Sequence, residues 1–185
     1  MRVLISQRSI LVIVLTIFSS SVYAANGIDI LDLSTKVVEQ KILIECDMKY
    51  ALDDRIKEAL RNGIKMSFLL EIELRQDNTY WLDPVINKLQ KEFRVKYHAL
   101  SKQYILVETD SEKERSFSDL YSAFYYLSRI RDVELGSING LNVENEYYIR
   151  ARVRLVTEEL PLPLRIKSYV SSSWRPTSGW TLWPM

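Results

Sequence analysis

Four stretches of this chain alternate apolar and polar residues with a period of two, and no other feature restricts its fold as much. Ile42, Ile44, Cys46, Met48 and Tyr50 share one side of the first, with Glu45, Asp47 and Lys49 opposite. Met66, Phe68, Leu70, Ile72 and Leu74 repeat the pattern against Lys65, Ser67, Glu71, Glu73 and Arg75. Phe93, Val95 and Tyr97 are set against Glu92, Arg94, Lys96 and His98. In the last stretch Tyr147, Ile149, Ala151, Val153 and Leu155 alternate with Arg150, Arg152 and Arg154. Side chains of a strand point to opposite faces in turn, so each stretch predicts a strand with one dry and one wet face, the habit of antiparallel sheets. Residues 103–109 read as the return strand of a hairpin turning near Leu100 to Lys102, and residues 28–33 and 133–138 as shorter strands.

Two helices interrupt this pattern. Asp53 or Asp54 can cap the first; Ile56, Ala59 and Leu60 form its apolar side, and Gly63 ends it. Ser116 and Asp119 open the second with capping-box-like spacing, and Phe117, Leu120, Phe124 and Leu127, joined by Tyr121, form its apolar stripe. In the tail, Leu160-Pro161-Leu162-Pro163-Leu164 reads as non-helical, because each proline removes a donor and pushes its predecessor into extended geometry. A short strand is expected over 166–170, and then Trp174, Trp180 and Trp183 arrive together. The expected fold is α+β, mainly antiparallel β: a sandwich-like, sheet-rich domain with two helices, the second packed across a sheet.

The opening residues have the pattern of a secretory signal. Arg2 and Arg8 are the only charges before Asp29, and an apolar run over 10–18 follows them. Three serines then lead to Val22-Tyr23-Ala24, which places small residues at the −1 and −3 positions of a cut between Ala24 and Ala25. The apolar run is less than half of the about 20 residues that a membrane span needs. The expectation is therefore a signal peptide over 1–24, a single domain over 25–185, and release into the periplasm. With no cysteine at the cut, no lipid is attached there, and nothing later in the chain is long and apolar enough to span. The membrane is expected to meet this chain only through the leader before cleavage.

Without Arg2 and Arg8, twenty-three basic side chains face twenty-four acidic ones, interspersed along the chain. A domain of this balance is not built around phosphate neutralisation, which argues against nucleic acid as a partner. One cysteine, Cys46, forms no intramolecular disulfide, so the core alone must hold the domain. Five glycines and five prolines exclude low-complexity character, and no linker or repeat divides the chain.

Residues that could carry chemistry are few. Cys46 falls on an apolar strand face, the one histidine, His98, on a wet one, and no nucleophile-elbow pattern accompanies the serines near Ser171. Glu45 with Asp47, and Glu71 with Glu73, place carboxylates about 6.6 Å apart on one strand face, within the range used by glycosidases. A cross-strand charge ladder with Lys49, Arg75 and the arginines of 150–154 explains them equally well. One histidine and one cysteine give no zinc spacing; calcium loops and phosphate- or dinucleotide-binding glycine patterns are absent, so no cofactor is expected. Arg150, Arg152 and Arg154 either pair with Glu71 and Glu73 or form a docking stripe for an anionic head group, cell-wall polymer or partner. Trp174, Trp180 and Trp183 either plug the end of the core or present binding anchors.

Three blocks of the chain are more specific. Ala59-Leu60-Arg61-Asn62-Gly63-Ile64 runs into Phe68-Leu69-Leu70-Glu71-Ile72-Glu73-Leu74. Residues 93–100 follow with Gln103-Tyr104, and then Leu160-Pro161-Leu162-Pro163-Leu164-Arg165 with Ser172, Trp174, Trp180 and Trp183. Together they resemble the domain of unknown function 4390 family, small exported proteobacterial proteins also labelled proline-rich signal peptide proteins. With five prolines this chain fits the family better than that label. The resemblance implies a Gram-negative periplasm, brings no assigned activity and no catalytic residues, and suggests as partner a sensor kinase of nitrogen-regulation type, whose gene often lies nearby. The functional expectation is an exported, non-enzymatic protein that binds another envelope protein. The alternatives are a hydrolase of an envelope polymer acting through the paired carboxylates, and an anion-binding module using the arginine stripe.

Overall fold

The computed structural model describes residues 27–78 and 82–185. The expected signal peptide over 1–24 and the expected cut between Ala24 and Ala25 lie outside the described residues. Among the described residues, nine strands form two antiparallel sheets. The smaller holds β1 (Gly27–Val38), β2 (Lys41–Ala51) and β7 (Arg129–Ser137), in the order β1-β2-β7. The larger runs β6-β5-β4-β3-β8-β9, with β3 (Met66–Gln76), β4 (Val85–His98), β5 (Gln103–Glu108), β6 (Lys113–Phe117), β8 (Tyr147–Leu155) and β9 (Thr181–Pro184). Among the described residues, three α-helices accompany them: α1 (Asp54–Arg61), α2 (Leu120–Leu127) and α3 (Leu162–Val170). The expected α+β, sheet-rich class is the observed one, and the described residues hold a third helix, α3, beyond the two expected.

The dry faces read from the sequence meet in one core. Ile42, Ile44, Cys46 and Met48 from the small sheet pack in the same cluster as Met66, Phe68, Leu70, Ile72 and Leu74 of β3 and Ile149, Ala151 and Val153 of β8. α2 joins them through Phe124 and Leu127. At that junction Phe68 meets Phe124 edge-on at 5.3 Å and Tyr50 at 5.7 Å, the geometry favoured by the ring quadrupole. Burial drives the Tyr50 phenol well above its ordinary range.

Four expectations need correction. The segment 166–170 is helix, not strand, and the helix begins inside the proline run: Pro161 is its N-cap and Pro163 lies in its first turn. The first N–H groups of a helix have no intrahelical acceptor, so a proline there removes nothing the helix uses, and its fixed φ is already helical. The second helix starts later than its spacing suggests. Ser116 and Phe117 belong to β6, and Asp119 alone is the cap, accepting from the Ser122 amide at 2.8 Å. Tyr121 is then turned away from the core, 79% exposed. Lastly, the outer face of β3 is not wet: Glu71 and Glu73 are only 5% and 6% exposed. β3 occupies the interior of its sheet, flanked by β4 and β8, and long side chains from those neighbours close over it.

Candidate functional site

The register of β3 against β8 sets Glu71 opposite Arg152 and Glu73 opposite Arg150. The charge ladder forms accordingly. Arg152 donates to Glu71 through Nε at 3.0 Å and Nη2 at 2.5 Å, and Arg154 approaches the same oxygen at 3.4 Å. Glu73 accepts from Arg150 at 2.7 Å and from Arg75 at 3.0 Å. Burial works to raise both carboxyls, but the guanidinium hydrogen bonds and charges outweigh it, and both lie below their ordinary value. Glu45 and Asp47 are likewise held, Glu45 by Lys36 at 2.7 Å and Asp47 by Arg131 at 2.5 Å.

The three tryptophans go to three different places. Trp174 is buried in the core cluster, 6% exposed. Trp183, opposite Ile149 in the β8–β9 pair, is half-buried against that core. Trp180 lies on the charged face, where the guanidinium carbons of Arg150 and Arg152 stand 4.2 and 4.5 Å from its ring centre. Arg150 and Arg152 thus each meet both a carboxylate and the indole, while Arg154 pairs with Glu71 and Glu158.

Cys46 is buried, and loss of solvation pushes its thiol up to about 12, so it is no nucleophile at neutral pH. His98 is exposed, with Nδ1 2.9 Å from the Ser101 hydroxyl. Among the described residues, no group of three or more histidine, cysteine, aspartate or glutamate side chains is arranged to hold a metal ion.

The matching family model, Domain of unknown function (DUF4390), covers residues 25–184. The chain belongs to the DUF4390 family. No curated protein and no solved structure matches it significantly.

The DUF4390 domain carries one further cluster, which its sequence periodicity concealed. α2 buries Ala123, Phe124 and Leu127, and turns Tyr121, Tyr125 and Tyr126 outward. Tyr121 and Tyr125, one turn apart, stack with centroids 6.1 Å apart and planes 24° from parallel. Arg129 stands 4.3 Å over the Tyr125 ring and Arg115 4.8 Å over that of Tyr126. Beside them opens a groove of about 610 Å³ lined by Phe117, Tyr121, Ser122, Tyr125, Tyr126 and Arg129. The signal was present in the run Tyr-Ser-Ala-Phe-Tyr-Tyr-Leu: it holds more large rings than one face of an eight-residue helix can bury.

Proposed function

We propose that this chain is an exported, non-enzymatic envelope protein that binds a partner protein, such as the extracytoplasmic part of a sensor kinase, through Tyr121, Tyr125 and Tyr126. The observation that carries this reading is the exposure of three tyrosines on adjacent turns of one helix, held in place by stacking and by Arg115 and Arg129. Tyrosine supplies a large amphipathic contact area with few rotors to freeze, which is why it recurs as an interface anchor. Rings already fixed in the free protein lose little further freedom on binding. A groove of about 610 Å³ accommodates one or two side chains of a partner segment.

The competing hydrolase reading needs a carboxylic acid poised to give or take a proton. Each of Glu45, Asp47, Glu71 and Glu73 is instead committed to a basic side chain, and the buried two are lowered, the wrong direction for a general acid. That supports binding over hydrolysis.

A photoreactive residue placed at Tyr125 in cells tests the proposal, with one at Leu31 on β1 as control. A discrete adduct at position 125, absent at 31 and lost when Tyr121 is changed to alanine, is the expected result. Equal labelling at both sites, or none, would reject it. Separate Glu45→Gln, Asp47→Asn, Glu71→Gln and Glu73→Gln variants decide against the hydrolase: loss of the cellular phenotype in any one that stays folded would reinstate it.

A further inference from the structure

α3 is an amphipathic helix turned inside out. Leu162, Ile166, Tyr169 and Val170 fall at i, i+4, i+7 and i+8, one side of a helix, and all four are between 56% and 84% exposed. The side facing the domain carries Leu164 and the wholly buried Ser168, whose hydroxyl is satisfied by the Arg165 carbonyl at 2.7 Å. A helix that keeps its serine and exposes its large apolar residues has a surface to cover.

Two observations indicate what covers it. The first is charge. From Leu160 to Met185 the chain holds Arg165, Lys167 and Arg175 and not one acidic residue, whereas residues 25–159 hold twenty basic and twenty-four acidic side chains. Lys167 borders the apolar stripe on one side; Arg165, on the other, is half-buried and donates to the Leu160 carbonyl at 3.2 Å, so Lys167 is the exposed charge of α3. Arg175 lines a recess of about 200 Å³ with Arg152, Arg154, Thr157 and Thr177, and the short 3-10 turns on either side of α3, Thr157–Glu159 and Ser172–Trp174, connect that recess to the helix. The second is where the chain enters the domain. Gly27 pairs with Ala51, two residues before the Asp53 cap of α1, and Arg55 of α1 donates to Ser173 at 2.7 Å, three residues beyond α3. Only eight residues separate Gly27 from the apolar leader run, a reach of at most about 28 Å. With the expected leader in a membrane, Gly27 would stay within that reach of it.

We propose that α3 docks on an anionic phospholipid bilayer, with Leu162, Ile166, Tyr169 and Val170 entering the interface, Lys167 meeting head groups, and the Arg175 recess receiving a lipid phosphate. Nine residues are too few to cross the hydrocarbon layer and suit a helix lying in its plane. The contact adds to the one expected of the leader and persists once the leader is gone. It is independent of the tyrosine face on α2.

Sedimentation of residues 25–185 with vesicles tests this. Binding to vesicles of equal parts phosphatidylglycerol and phosphatidylcholine is expected, several-fold stronger than to phosphatidylcholine alone and weakened by salt. Ile166→Glu and Val170→Glu should each reduce the partition at least about tenfold, from loss of an inserted aliphatic side chain. Lys167→Gln and Arg175→Gln should each reduce it about fivefold, at roughly 1 kcal/mol per basic residue near an anionic surface. Tyr125→Ala should bind as the parent does. Unchanged melting keeps each substitution interpretable, and the four exposed sites allow one variant to replace another that fails to fold. A protein that stays in the supernatant with both vesicle types overturns the proposal, as do glutamate variants that bind like the parent. A dimer that Ile166→Glu dissociates, without vesicle binding, overturns it in favour of a second copy of this chain.

Discussion

The guanidinium carbon of Arg150 stands 4.2 Å from the centre of the Trp180 ring, while the same guanidinium holds Glu73 at 2.7 Å. Trp180 therefore stabilises from outside a pair that the register of β3 and β8 builds from inside. A cation over an indole contributes about 1–2 kcal/mol where water is partly excluded. Trp180→Ala should cost about that much in chemical denaturation, with the cooperativity of unfolding retained.

Trp174 differs in kind. It lies in the core cluster with Leu160, and truncation there leaves a cavity as well as lost transfer energy. Trp174→Ala should cost about 3–5 kcal/mol and lower the melting midpoint by roughly 6–20 °C, several times the effect at Trp180. Parent-like melting of the Trp174 variant would move this residue to the surface.

Acid should unfold the domain through its buried carboxylates. Glu71 and Glu73 both have folded values below their unfolded ones, so the stability they contribute is fully present above the unfolded value of about 4.3 and is lost as pH falls through the lower folded values. Unfolding free energy should hold steady from neutral pH to about 5 and then fall. Glu71→Gln should cost about 2–3 kcal/mol at neutral pH, because Arg152 and Arg154 lose the negative charge they share, and should flatten the acid limb. A variant with the parent's acid limb would remove Glu71 from this account.

The thiol of Cys46 gives a direct measure of opening. Buried and pushed up to about 12, it should resist alkylation at pH 8 in the native protein and react at once in denaturant. Prompt native-state labelling would mean that β2 separates from its neighbours at low cost.

If the chain is processed as its opening residues predict, mass spectrometry of the protein recovered from cells should find Ala25 as its first residue, from a cut after Ala24. A membrane-bound product that keeps residues 1–24 would reverse the expectation of release, and would hold α3 at the bilayer permanently.

The strands with a dry face were legible because burial of one face imposes the period that identifies it, and Asp53, Gly63 and the pairing of Glu71 and Glu73 with the arginines of β8 were legible with them. What escaped lay where that rule has no purchase. β6 is a Lys-Glu-Arg-Ser-Phe edge strand, charged on both faces as edges tend to be, and so shows no alternation. Pro161 and Pro163 read as helix breakers until their place in a first turn is known. Tyr121 fits a core stripe by spacing, and only the buried trio Ala123, Phe124 and Leu127 shows that the stripe lies elsewhere. The candidate tyrosine face was therefore present in composition and hidden in direction.

The strand pairings bear on when this chain can fold. β2 waits for β7, with Lys41 set against Ser137; β3 waits for β8; and β8 takes its outer neighbour from Thr181–Pro184. Neither sheet can be completed by the residues that are synthesised first, and contacts of such long sequence separation form slowly. A nascent segment as far as β6 has local hairpins but lacks the strands that close over its dry faces. Such a topology delays completion of either sheet until synthesis is nearly finished, so the pairings that close the core form last.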